Sequence, residues 1–400
     1  MLYLIFSIMP MFVCVFWILM LVIDRKKNTS KRFLAFFFTF LLINFFAHAA
    51  YFNHKYELYT VLDSIWVLTS LLSFPFYYYY VRLLTTDTKI QFKWSLLALP
   101  SVLLAIYSAI IYVLMTPGEI EAYVQGVMYQ KSGYEPYSKL VQLQVLRTYL
   151  VKIIFSVQVI LSVYFGFKLI DNYNKKVRAF YSDIGGKDLT PMKWVLVAFI
   201  IASLISVVVG NIGKSFFISH PLLIFVPSIG FSACMFFSGY VGYMQRFTIE
   251  HFTRNVSEYE SRKSYPEKRG APDYIPNLND QESLQDRLIY LLEKKEIFKN
   301  PELKLSDVSQ LLKTNRTYVS RVVNEELNTN FCELVNSYRV NYAEKLLRIS
   351  LQSNSLSIAE IAEQSGFSSE SSFYRVFKNK KGISPGVYKQ LKYNLVPVEN

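Results

Sequence analysis

The sequence predicts an all-α protein: an N-terminal seven-helix transmembrane bundle followed by a cytoplasmic all-helical domain with two helix-turn-helix units. Three observations point there. Apolar residues gather in blocks of about 20, the length that crosses a ~30 Å hydrocarbon core. Basic residues crowd alternate connections between those blocks. Beyond residue 281, helical periods broken by Gly and Asn turns occur twice at a spacing of about fifty residues. The expected organisation is 1–244 for the membrane bundle, 245–280 for a cytoplasmic linker, 281–392 for the double helix-turn-helix domain and 393–400 for a C-terminal tail.

Composition sets the class first. At 52% hydrophobic, 16% aromatic and 18% charged residues, the chain is too apolar to be wholly water-soluble. The seven apolar blocks are Tyr3–Ile23, Phe33–Phe52, Leu58–Leu84, Trp94–Met115, Tyr149–Ile170, Trp194–Asn211 and Pro221–Met244. The first lacks a basic start and a small-residue cleavage site, so it reads as an uncleaved span. Connections 24–32, 82–93 and 171–193 carry thirteen Lys and Arg, whereas 53–57, 116–147 and 212–219 carry five. That bias orients the chain with its N-terminus outside and its C-terminus in the cytoplasm. Residues 1–244 hold +10 of the net charge of +13, so the basic balance reports topology more than nucleic-acid binding. The three cysteines, Cys14, Cys234 and Cys332, offer no disulfide pair and read as small apolar fillers.

After Met244, residues 245–264 can continue the seventh helix inward. Pro266, Gly270, Pro272 and Pro276 then mark a flexible linker. Ser283–Phe298 is predicted as an amphipathic helix through Leu284, Leu288, Leu291 and Leu292. The first unit pairs a helix at Leu305–Leu312 with one at Arg316–Glu326, and Asn328 sits where a left-handed cap is needed. A connecting helix follows over Phe331–Leu347. The second unit pairs Ser357–Gln364 with Ser369–Lys380, with Gly366 at the turn and Gly382 and Pro385 as the stop.

The set formed by Phe331, Asn336, Tyr338-Arg339, Ala343, Leu346-Leu347, Ile358-Ala359, Ile361-Ala362, Gly366-Phe367, Phe373, Phe377-Lys378, Gly382 and Ser384-Pro385 resembles the double helix-turn-helix domain of AraC/XylS transcription regulators. The resemblance covers roughly Gln281–Lys392 and departs at Asn328, where a Gly is usual, and at Val323, where the family tends to carry a larger apolar residue. It implies a bacterial transcription regulator whose second helix in each unit enters a DNA major groove, and the apolar blocks with their charge bias add placement in the bacterial inner membrane. The implied DNA contacts are Arg316, Thr317, Ser320 and Arg321 in the first recognition helix. In the second they are Ser369, Glu370, Ser371, Ser372, Arg375 and Lys378. Arg suits guanine edges and Lys378 a phosphate; for Arg321 especially, contact with phosphate or an internal carboxylate is an even alternative to a base edge. The acid-free series Arg375, Lys378, Lys380, Lys381, Lys389 and Lys392 reads as a phosphate-facing surface. Two recognition helices on one chain suit successive grooves about 34 Å apart.

In the membrane half, His48, Asp63 and Lys152 stand roughly 5–9 Å below the outer surface at 1.5 Å per residue. They are candidate sensing residues, with Asp63 and Lys152 as a charge pair; a snorkelling Lys152 and a satisfied interior His48 are the plainer alternatives. Phe76–Tyr80 reads as an interfacial aromatic belt, and 116–147 as a connector long enough to form a lid. The four histidines have no metal-ligand spacing, and no phosphate-cradling loop or nucleophile elbow occurs, so neither enzyme activity nor a cofactor or metal is expected. Expected partners are double-stranded DNA, the lipid bilayer and a small-molecule or membrane signal, with RNA polymerase and a second copy as further candidates. Rival readings are a passive anchor controlled by linker cleavage or a partner protein, and a transporter-like bundle with a regulatory tail.

Overall fold

A computed structural model of the protein describes residues 2–24, 28–86, 96–212, 216–217, 220–264, 283–353 and 356–393. Of the expected linker 245–280, residues 265–280 lie outside the described residues. Among those residues every regular element is helical, and the one β pairing is an isolated antiparallel bridge between Tyr181 and Lys304. The chain divides into two compact units, Met1–Tyr173 with Leu189–Glu250, and Asn174–Asp188 with His251–Asn400.

In the first unit the long helices are α1 (Leu2–Ile23), α2 (Thr29–Phe52), α3 (Tyr56–Thr85), α4 (Leu99–Leu114), α6 (Lys139–Phe180), α7 (Thr190–Ile212) and α8 (Phe225–Met244). A short α5 (Pro117–Glu121) runs into a π turn at Ala122–Met128. Among the described residues six helices are long and apolar enough to cross a membrane, and the expected fourth span is described as the shorter α4 of 16 residues, about 24 Å. Helix α6 has 42 residues and overruns the predicted fifth span at both ends, and its last turns belong to the second unit. Neighbours along the bundle are α4 on α3, α3 on α2, α2 on α1, α1 on α8 and α8 on α7.

The bundle carries a greasy outer surface around an apolar interior in which buried polar side chains pair with one another. Val113 is 85% exposed, Ile160 67% and Trp194 63%. Asn44 meanwhile donates inward to Thr69 (2.9 Å) and Ser70 (2.7 Å), and Gln158 to Ser101 (3.0 Å) and the Leu97 carbonyl (2.9 Å). An outward apolar surface on this scale suits hydrocarbon, where interior polar side chains must satisfy one another. The segment at 117–129 packs over the bundle: Tyr51 and Tyr129 stack at 4.5 Å and exchange hydrogen bonds of 2.6 Å with the carbonyls of Met128 and Tyr51.

The second unit follows the predicted order. Its elements are α9 (Ile249–Ser264, from His251 onward), α10 (Leu284–Glu293), a 3₁₀ turn (Ile297–Lys299), α11 (Leu305–Leu311) and α12 (Arg316–Arg321) extended by a π turn at Val322–Glu326. Then come α13 (Phe331–Ser353), α14 (Ile358–Gln364), α15 (Glu370–Lys381) and α16 (Pro385–Tyr393). Helix α13 is longer than predicted, and Pro385, expected only as part of the stop after the second recognition helix, opens α16, the role its fixed φ suits at a first helical position. The apolar positions fall where the periods put them. Val340, Ala343, Leu347, Ile361, Ala362, Phe367, Phe373 and Phe377 form one core between α13, α14 and α15. Leu288, Leu291, Leu292, Val308, Val319, Val323 and Val335 are buried as well.

Candidate nucleic-acid interface

Each recognition helix starts from a side-chain cap. Asn315 accepts from the Thr317 N–H (3.0 Å) to open α12, and Ser369 accepts from the Ser372 N–H (3.2 Å) to open α15. Asn328 is left-handed (φ 48), as its place at the end of the first unit predicts, and Gly366 (φ 81) and Gly382 (φ 79) are too. With Val319 and Val322 buried, Thr317 and Arg321 face solvent, and Arg316 and Ser320 are half-buried. On α15, Ser369, Glu370, Ser371, Arg375 and Lys378 are exposed. Ser372 differs, being 5% exposed.

The basic series is narrower in space than in sequence. Lys380 pairs with Glu333 (2.9 Å) and Lys381 with Glu344 (2.5 Å), both acids on α13. Lys389 donates to the Leu356 carbonyl (3.1 Å), and the Lys392 side chain lies outside the described residues. These contacts fasten α15 and α16 to the rest of the unit, while Arg375, Lys378 and Lys380 are exposed to solvent. Hydrogen bonds from Lys381 and Tyr388, with Arg348 adding to them, hold the Glu344 carboxyl down at about 2.

A segment that was predicted only as an inner connection is built into this unit. The Ser182 N–H donates to the Leu303 carbonyl (3.2 Å) beside the Tyr181–Lys304 bridge. Arg339, fully buried on α13, donates to Ser182 Oγ (3.1 Å), to the Ser182 carbonyl (3.4 Å) and to the carbonyls of Phe298 (2.8 Å) and Asn300 (2.7 Å). Burial pulls its guanidinium down to about 10, still charged near neutrality. Asp183 accepts from Ser368 Oγ, from Ser372 Oγ (3.2 Å) and from the Gly185 N–H (2.9 Å). Burial opposes ionisation of Asp183, yet these donors and Lys187 hold the carboxyl below its usual value. The Arg316 guanidinium lies 5.6 Å over the Phe180 ring.

The membrane candidates separate. Asp63, fully buried, pairs with Arg147 (2.5 Å) instead of Lys152, and accepts from Tyr59 (3.1 Å) and Tyr112 (2.9 Å). Arg147 also donates to Tyr123 (2.5 Å) and Gln144 (3.1 Å). His48 accepts from the Trp66 indole (2.9 Å), and Lys152 donates to the Gly210 carbonyl (3.1 Å). The apolar block that begins at Tyr149 excludes Arg147, which the structure places inside α6, three residues from its partner Gln144. Among the described residues no three of His, Cys, Asp and Glu gather as metal ligands.

Residues 308–391 match the family model of a helix-turn-helix domain. A Bacillus subtilis HTH-type transcriptional regulator, YfiF, is 40% identical over 89 residues, which is 22% of this chain and 27% of that protein. A second from the same organism, YtdP, is 29% identical over 113 residues, 28% of this chain and 14% of its own length. The TCP pilus virulence regulatory protein of Vibrio cholerae is 35% identical over 83 residues, 21% of this chain and 28% of its own. The chain therefore spans well under a third of these relatives. Among solved structures, the C-terminal domain of AraT, a response regulator from Geobacillus stearothermophilus, is 27% identical with a TM-score of 0.26, covering 30% of this chain and 92% of that one. The paired caps, left-handed turns and shared core, together with the sequence match, identify the C-terminal part of this chain as a helix-turn-helix domain of the AraC type.

Proposed function

We propose that the chain is a membrane-embedded, sequence-specific DNA-binding transcription regulator that couples a membrane or extracytoplasmic signal to its double helix-turn-helix domain. The N-terminus lies outside and the DNA-binding domain in the cytoplasm of the bacterial inner membrane. The observation that carries the reading is the pair of capped recognition helices whose leading faces, with Thr317 and Arg321 on one and Ser371 and Arg375 on the other, stand in solvent. They share one chain with helices whose outward surface is apolar. Arg321 and Arg375 read base edges, Lys378 holds a phosphate, and the serines set register. The promoter must then come to the membrane, and the signal must bind two states of the bundle with different affinity.

The test uses the full chain in lipid nanodiscs and duplexes recovered by mapping its bound genomic DNA. Arg321→Ala removes about 1–3 kcal/mol of discrimination at one base pair, whereas Lys378→Ala weakens all duplexes alike and lowers the salt slope by about 1. Failure of the native chain to retain any duplex above background refutes the reading.

A further inference from the structure

We propose that Tyr181–Asp188 is an intramolecular docking element that holds the two helix-turn-helix units in one relative setting, so that the ends of α6 and α7 reach the recognition helices through it. This rests on the DNA-binding reading above. The segment touches three parts of the second unit in turn. Tyr181 and Ser182 pair with Leu303 and Lys304, at the entry to the first helix-turn-helix. Ser182 then receives Arg339 and, at 3.5 Å, the Cys332 thiol, both from the connecting helix α13. Asp183 receives Ser368 and Ser372, from the turn and first helical turn of the second unit.

Burial separates this arrangement from an ordinary connection. Inter-helix loops lie in water because their backbone groups need partners. Here Tyr181 is 3% exposed, Ser182 0% and Asp183 8%, and the partners come from the helix-turn-helix domain. Asn255 on α9 adds a 2.7 Å bond to the Tyr181 hydroxyl. The segment also orders itself, since Lys187 donates to the Asp183 carbonyl at 3.1 Å. Its ends are fixed covalently: α6 finishes at Phe180 and α7 begins at Thr190. Any rotation or sliding of those helices must be absorbed within nine residues or passed to Ser182 and Asp183. Two recognition helices held in register bind a two-groove site without first ordering each other, the usual gain from preorganisation.

Cys332 supplies a direct readout. Its thiol is 2% exposed, bonded to the Ser182 carbonyl, and pushed up to about 12 chiefly by burial, so the docked state keeps it unreactive. The experiment places the full chain, with Cys14→Ala and Cys234→Ala, in nanodiscs and follows Cys332 labelling by a water-soluble maleimide. Asp183→Asn is expected to speed labelling at least tenfold. It should also weaken binding of the mapped duplex about tenfold with no change in salt slope, because no phosphate contact is lost. Ser368→Ala, at the exposed other end of the same bond, tests the same point should Asp183→Asn not fold. Unchanged labelling in a folded variant overturns the docking. Faster labelling with unchanged or tighter duplex binding overturns the role in setting the recognition helices. If the native chain binds no duplex, the DNA-binding reading fails, while the labelling comparison still decides whether the segment docks.

Discussion

Gly366 and Gly382 have nearly the same backbone, φ 81 and φ 79, and opposite surroundings, which makes them a matched pair. A Cβ at Gly382 meets nothing within 4 Å, whereas one at Gly366 stands 2.5 Å from the Phe298 carbonyl oxygen and 2.6 Å from Lys299 Cα. Both replacements by Ala meet the left-handed penalty of roughly 1–2 kcal/mol, partly offset by a gain of about 0.4–1 kcal/mol from the stiffer unfolded chain. Gly382→Ala should therefore cost about 1 kcal/mol. At Gly366 the obstacle is backbone that no rotamer change can clear, and overpacking adds about 1–3 kcal/mol, for a total of roughly 2–4. Hydrogen exchange on the full chain in detergent reads this as local opening of the α14–α15 core around Ile361 and Phe373. Protection there should fall about 5-fold for Gly382→Ala and about 30-fold or more for Gly366→Ala, at 1.4 kcal/mol per factor of ten. Equal losses at the two sites would refute the argument, since backbone conformation alone would then account for both.

Two further outcomes follow from the buried charges and the α13 carboxylate. Asp63→Ala leaves Arg147 buried and uncompensated, so it should lower the stability of the membrane unit by about 3–5 kcal/mol, and Asp63→Leu with Arg147→Met should restore most of it. Survival of the monodisperse peak after heating in detergent measures both, and in the same assay Lys152→Met should shift stability by no more than about 0.5 kcal/mol. Because the Glu344 carboxyl is held at about 2, its contribution is complete above its unfolded value, near 4.3, and is lost as pH falls from there toward 2. Glu344→Gln should accordingly lower the unfolding temperature at pH 7 and match the native chain near pH 2; a gap that persists at pH 2 would point to lost packing instead.

Local physics was legible along the chain, and contacts between distant segments were not. Gly366 and Asn328 announce left-handed turns, Ser369 announces a helix start, and Phe373 with Phe377 announces a buried face, because each signal is contained within a few residues of backbone and one helical period. Apolar length likewise marks the long helices by a rule that needs no folded structure. The same sequence placed Asp63 opposite Lys152, and gave Lys380 and Lys381 to phosphate, because it carries no distances between helices. Packing decided that Arg147 reaches Asp63 and that Glu333 and Glu344 claim those lysines. It also decided the place of Ser182 and Asp183. In sequence they belong to a basic connection, yet in space they complete a domain more than a hundred residues downstream, as buried hydrogen-bonding groups must find partners wherever the fold brings them.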